Sequence, residues 1–316
     1  MDLAVLIIGY SRPQGISSLL DILFSNRIRD IYIALDGPKN SRDITTQNEI
    51  REIVLNFKGS LTSRIHLLDR TQNLGVAGGV LNAIDWFFSH EEMGIVLEDD
   101  LLVSNDFFPY CLQFLDMFRE DKEVWMISGT QMKTNRIKSK QISWANYPMI
   151  WGWASWREKW FEMRKSLLRK KPIQISNLFN RRYLFWAVGG NRALAGKVDT
   201  WDTQLAFEFM IQKKLCLLPP VNLISNIGND GVASHTKGTN SGMNLKISSL
   251  EAHSYSTNKP NELSLLEYNT FLEEEVFKIK WYHIFLPYYS FLFDSIKFPK
   301  ASRRLRLNHR SDWNAN

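Results

Sequence analysis

Cysteine is nearly missing from this chain: Cys111 and Cys216 are the only two in 316 residues. That excludes a disulfide framework, a zinc-ligand spacing and a CxxC redox pair, and both residues lie in apolar surroundings that suit a buried free thiol. Long hydrophobic runs are missing too. The first run, Leu3 to Ile8, is too short for a secretory core and has no basic stretch before it. The best later candidate, Ile284 to Phe293, is short and broken by Pro287, so it falls below membrane-spanning length. No internal repeat, low-complexity tract, GxGxxG or P-loop is present. A cytoplasmic protein is expected, soluble or held peripherally on the inner face of a membrane.

Acidic residues are missing from one stretch in particular. Ser295 to Arg310 carries Lys297, Lys300, Arg303, Arg304, Arg306 and Arg310 without a single Asp or Glu. This tail is the main source of the net charge of +6 and the pI of about 9.2. Such a balance suits anionic lipid or phosphorylated small molecules. No nucleic-acid module accompanies it, so nucleic acid is not an expected partner.

What is present reads as a folded α/β protein. Apolar runs at Ala4–Ile8, Asp30–Leu35, Ile65–Leu68, Gly94–Leu97 and Val124–Ser128 predict strands. Helical patterns between them start near Pro13, Ile44, Val76 and Ser104. Strand and helix in alternation imply a mainly parallel, Rossmann-like central sheet flanked by helices, with ligands beyond the carboxyl ends of the strands. Those ends carry Tyr10-Ser11-Arg12, Asp36-Gly37, Asp69-Arg70 and Glu98-Asp99-Asp100. Residues 1–245 are expected to form the main domain, in two halves that divide at about residue 130. Residues 246–316 form a helical extension rich in aromatic and basic residues.

Glu98-Asp99-Asp100 is the strongest local signal. Three adjacent carboxylates repel one another unless a cation or hydrogen-bond donors offset them, and Mn²⁺ or Mg²⁺ prefers such oxygen ligands shared with substrate phosphates. Acids at a helix N-terminus would account for one of the three, not for all. Asn73 to Gly79 opens a helix whose N–H groups suit an anion, or else makes a tight turn. Asp202, just before a helical pattern, is either an N-cap or the base that takes a proton from an acceptor hydroxyl. The loop Gly228 to His235, with Gly231 and Val232, is of a kind that closes over ligands, and His235 is a candidate metal or phosphate contact. Trp144, Trp151, Trp153, Trp156, Trp160, Trp186 and Trp201 crowd the segment after the first half. Each could fill core, while the cluster suits a platform for sugar rings.

In this order the residues resemble the GT-A-fold N-acetylglucosaminyltransferases of the Glu-Asp-Asp type and their bacterial relatives. The pieces are Arg12, Asp36-Gly37, the triplet with Leu101 and Asp106-Phe107-Phe108, Trp125 through Ser128, Gly152-Trp153, Trp201-Asp202, and Gly231-Val232 through His235. They span roughly residues 3 to 240. The resemblance implies that Asp36 bonds the nucleobase, Arg12 lies beside the nucleotide, Asp99 is at the ribose, Glu98 is near the transferred sugar, and Asp100 binds Mn²⁺ or Mg²⁺. It also implies that Asp202 is the general base of an inverting transfer. The family's nucleotide-side histidine has no counterpart here, Ala77 or Gly78 falling near its place. The expected activity is transfer from a nucleoside-diphosphate sugar, UDP-sugar favoured, to a glycan or lipid-linked acceptor, as in bacterial surface polysaccharide synthesis. The tail adds an anionic membrane surface as a partner. The competing readings are a nucleotidyltransferase acting on sugar phosphates and a non-catalytic nucleotide-sugar-binding protein.

Overall fold

The computed structural model describes residues 3–58, 63–133, 141–168, 172–174, 177, 179–228, 245–250 and 258–286. Gly231, Val232, His235 and the basic tail lie outside the described residues.

The first half alternates as its sequence dictates. β1 (Ala4–Gly9), α1 (Pro13–Ser25), β2 (Asp30–Leu35), α2 (Ser41–Lys58), β3 (Arg64–Asp69), α3 (Gly75–His90) and β4 (Met93–Glu98) come in turn. After them come β5 (Leu101–Val103), α4 (Phe107–Met117) and β6 (Val124–Ser128). The second half adds β7 (Ser143–Ala145), β8 (Trp153–Trp156), α5 (Arg157–Leu167), α6 (Arg181–Leu194), α7 (Asp202–Ile211), β9 (Leu215–Leu218), β10 (Ile224–Asn226) and α8 (Glu262–Phe271).

One eight-stranded sheet runs β3-β2-β1-β4-β8-β6-β9-β7, and β10 pairs with β5 in a separate two-stranded ribbon. The pairings among β1 to β4 are all parallel, as is β6 with β9, while β8 and β7 run antiparallel to their neighbours. Both halves of the chain therefore share one sheet. Period-two alternation divides the core. Leu6, Tyr32, Ala34 and Val96 face one cluster with α3, α5, α6 and α7, whereas Val5, Ile7, Ile33, Ile95 and Leu97 face the other with α1, α2 and α4. The fold is mixed α/β, a central sheet covered on both faces.

Six of the seven tryptophans between Trp144 and Trp201 are buried, Trp151 alone keeping intermediate exposure. Trp153, Trp160 and Trp201 pack ring against ring, and Trp160 donates its indole N–H to Asp85 at 2.8 Å. The sugar-platform expectation is corrected for these six: Trp153, Trp160, Trp186 and Trp201 fill the space between the sheet and α5, α6 and α7, and Trp144 and Trp156 are core on the opposite face, beside α4.

The extension is also partly core. Tyr268, Leu272 and Ile279 are buried in the cluster that holds Trp186 and Leu218, the Tyr268 hydroxyl donates to Gln131, and Phe277 packs edge-on against Tyr147 and Trp186. A chain ending at Asn258 should therefore lose about 5 kcal/mol or more of stability, from three buried side chains and the lost hydrogen bond from Tyr268 to Gln131. Urea unfolding of that truncation against the full chain measures it; equal midpoints would mean that the contacts contribute little.

Candidate active site

The site forms where β1, β2 and β4 end together. In the ladder Ile8 lies opposite Glu98, so the acidic triplet meets the turn from β1 into α1. α1 starts at Pro13 with Arg12 at its N-cap. Gly15 lets that helix sit directly on the triplet's backbone, since a Cβ there would lie 1.9 Å from the Asp99 carbonyl oxygen.

Asp99 is buried and tied inward. Its Oδ2 accepts the Tyr10 N–H at 2.8 Å, and Arg12 Nη1 lies 3.4 Å from both Asp99 Oδ1 and Asp100 Oδ2. Arg12 Nη2 reaches the Gly228 carbonyl at 3.4 Å. Asp100 keeps partial exposure, and its carbonyl accepts the Ile227 N–H at 2.9 Å. The ribbon of β5 and β10 thus delivers residue 228, the first of the Gly-rich loop, to Asp100. A Cβ on Gly228 would come 2.4 Å from Asp100 Oδ2.

Charge is concentrated at this point. Burial, and then the carboxylates of Asp100, Asp99 and Asp202, push Glu98 up to about 8. Asp99 rises to about 6, chiefly through burial, with the Tyr10 N–H pulling the other way. That Asp202 acts on Glu98 brings the separate acid into the same field. Asp202 opens α7, and its Oδ1 accepts from the Thr200 hydroxyl and, at 3.3 Å, from that of Thr203.

The burial of Glu98 should make the stability of the metal-free protein depend on pH. Glu98 binds its proton more tightly folded than unfolded, so between its ordinary range and about 8 stability falls as pH rises. Glu98→Gln should flatten that slope and stabilise the protein by about 2–4 kcal/mol above the folded pKa. Denaturant melts with chelator across this pH range give the answer, and a slope unchanged in the variant would contradict it.

Asp36 lies at the end of β2, but its carboxylate is engaged. Oδ1 and Oδ2 accept the Leu74 N–H at 2.9 and 3.1 Å, and Oδ2 also accepts from Asn73 Nδ2 at 2.9 Å. Burial raises its pKa, while the Leu74 N–H opposes the shift. The N-terminus of α3, whose sequence suits an anion site or a tight turn, is met by the chain itself. Val76 and Ala77 donate to Asp199 at 2.9 and 3.0 Å, and Gly75 has φ +79°.

Two participants carried no sequence signal. Gln47 is buried and donates to both the Asp36 and Tyr10 carbonyls, joining the ends of β1 and β2. Asp43 accepts the Tyr10 hydroxyl at 2.5 Å. A long-range hydrogen bond leaves no local pattern, so only the fold exposes these residues. Asp199 ties the segment before α7 to the start of α3.

No family model matches the chain, and no curated protein matches it in sequence. Several solved structures are similar in part. UDP-glucose pyrophosphorylase complexed with UDP-glucose is 11% identical over 69% of this chain and 90% of its own, with a TM-score of 0.37. A putative glucose-1-phosphate thymidylyltransferase from Bacillus anthracis is 13% identical over 73% and 92%, with a TM-score of 0.39. The galactosyltransferase LgtC with donor and acceptor sugar analogs is 10% identical over 66% and 70%, with a TM-score of 0.36. Likeness at this level does not bear on the reaction; the chain's own residues do.

Among the described residues no group of three or more His, Cys, Asp or Glu is arranged to hold a metal ion by itself. The donor set nonetheless fits a hard cation that takes its remaining ligands from substrate and water. Asp100 offers a partly exposed carboxylate, 3.4 Å from Arg12 Nη1 and beside carboxylates whose mutual repulsion a cation would relieve. No helix among the described residues is long and apolar enough to cross a membrane.

Proposed function

We propose that this protein is an inverting glycosyltransferase of the GT-A type, moving a sugar from a nucleoside-diphosphate sugar to a hydroxyl of a glycan or lipid-linked acceptor. The observation that carries the reading is the acidic triplet at the carboxyl end of β4, where Tyr10, Arg12 and Gly228 meet Asp99 and Asp100. The resemblance in the Glu-Asp-Asp and Asp-Phe-Phe motifs supports the same conclusion. The donor is taken to be a UDP-sugar and the setting bacterial surface polysaccharide synthesis.

Asp36 and Arg12 serve the nucleotide, Asp99 the ribose and Glu98 the transferred sugar. Asp100 would hold Mn²⁺ or Mg²⁺, and the ion would neutralise charge on the departing diphosphate. From the sequence, Gly231 and Val232 are assigned to the donor and His235 to the metal. The acceptor oxygen attacks the anomeric carbon, the bond from that carbon to the phosphate oxygen breaks, and Asp202 receives the acceptor's proton. Attack from the face opposite the leaving group inverts the centre.

A panel of UDP-, GDP- and dTDP-sugars tests the donor assignment. With Mn²⁺, a UDP-sugar should raise the melting temperature most, and chelator should abolish the rise. Stabilisation by a nucleoside triphosphate with a sugar phosphate, and by none of the nucleotide sugars, would favour the nucleotidyltransferase reading.

A further inference from the structure

The extension does two different things within a few residues. Up to Ile279 it is built into the core. Immediately after, a single 3-10 turn over Trp281–Phe285 turns large rings outward: Trp281 is 67% exposed, Tyr282 51% and Phe285 42%. Their rings are arranged against one another, with centroids 6.0 Å apart for Trp281 and Tyr282 and 6.3 Å for Trp281 and Phe285. The turn itself is fastened. Lys280 donates its backbone N–H to His283 Nδ1 at 3.0 Å, and the His283 ring lies 5.1 Å from Phe185 on α6. This is an outward-facing aromatic cluster on a fixed base.

Charge around and beyond the cluster is basic. Lys280 adjoins it, and the nearby acids Glu274 and Glu275 are offset by Arg181 and Lys278. The chain then continues through Tyr288, Tyr289, Phe291 and Phe293 into the run from Ser295 to Arg310 that has six basic side chains and no acid. Trp and Tyr rings prefer the headgroup boundary of a bilayer, and cationic side chains next to them add attraction to anionic lipid.

We propose that the turn Trp281–Phe285, with the basic chain after it, docks the protein on an anionic membrane surface. The turn rests on α6, in the second half of the main domain, so docking would face that half toward the bilayer. The proposal does not depend on the catalytic reading. Binding to vesicles is measured without nucleotide, metal or acceptor, so failure of one leaves the other standing.

The test uses the full chain and two kinds of vesicle, phosphatidylcholine alone and phosphatidylcholine with phosphatidylglycerol. The protein should co-sediment with the anionic vesicles at low salt, release as salt rises, and stay in solution with the neutral ones. Replacing Trp281, Tyr282 and Phe285 together by serine should lower partitioning about tenfold or more, with the thermal melt unchanged because these rings face solvent. Should that variant melt early, neutralising Lys297, Lys300, Arg303 and Arg304 to glutamine decides instead, since it should lower both partitioning and its salt dependence. No sedimentation with anionic vesicles at low salt overturns the proposal. So does partitioning unaffected by both variants. So does self-association of the lipid-free protein that the serine variant abolishes while vesicle binding is absent, which would make the patch an interface between two copies.

Discussion

Asp202→Asn is expected to leave donor binding within about twofold and to lower kcat by about a thousandfold, because only the proton acceptor is removed. Asparagine has the shape of the residue it replaces, so its side-chain oxygen can still accept from the Thr200 and Thr203 hydroxyls that hold Oδ1. The start of α7 should stay in place. The variant also removes one of the charges that push Glu98 upward, so the Glu98 carboxyl should titrate lower. Two readouts therefore separate a lost base from a disturbed site: donor KM and the pH profile of the residual rate. Asp199, the neighbouring acid, is poorly placed to substitute, since its two oxygens accept the Val76 and Ala77 N–H groups. Asp230 lies outside the described residues. Transfer that survives within a few-fold would assign the base to another acid.

The second large effect is expected from Asp100→Ala. The increment in nucleotide affinity that Mn²⁺ provides should disappear, a loss on the order of a hundredfold or more at saturating metal. The fold should not suffer. The bond that fixes the β5–β10 ribbon at this point runs to the Asp100 carbonyl, which alanine retains, and Arg12 keeps Asp99. Without metal the variant should be no less stable than the parent, because one member of a mutually repelling set is gone. Titration of nucleotide with and without Mn²⁺ measures the increment directly. An undiminished increment would remove Asp100 from the metal site.

Much of the first half was legible from sequence for one physical reason. Strands buried on both faces read as unbroken apolar runs, and the residues just after them are polar because they lie at the carboxyl edge of the sheet. β1, β2, β4 and β6 with Arg12, Asp36 and the triplet obey that rule. The second half broke it. β7 and β8 are three and four residues long and contain the same tryptophans that look like a sugar platform. α5 buries Trp160, Met163 and Leu167, a helical spacing hidden by the surrounding aromatic residues. β5 is three residues long and adjoins the acids, where no periodicity can show. In the extension, Ile279 is buried and Trp281 is exposed, a difference set by what α6 and the sheet offer to each. At the site, the residues on strand ends could be read in advance. Gln47 and Asp43 could not, because each works through a partner more than 30 positions away.

The central claim is that the bond broken lies between the anomeric carbon and phosphate oxygen. It is tested most directly by identifying the nucleotide released. Protein, Mn²⁺, a UDP-sugar and a glycan acceptor should yield UDP together with a glycoside of inverted anomeric configuration, resolved by NMR. Release of UTP when pyrophosphate is supplied, with the sugar leaving as its 1-phosphate and no glycoside formed, would contradict the account.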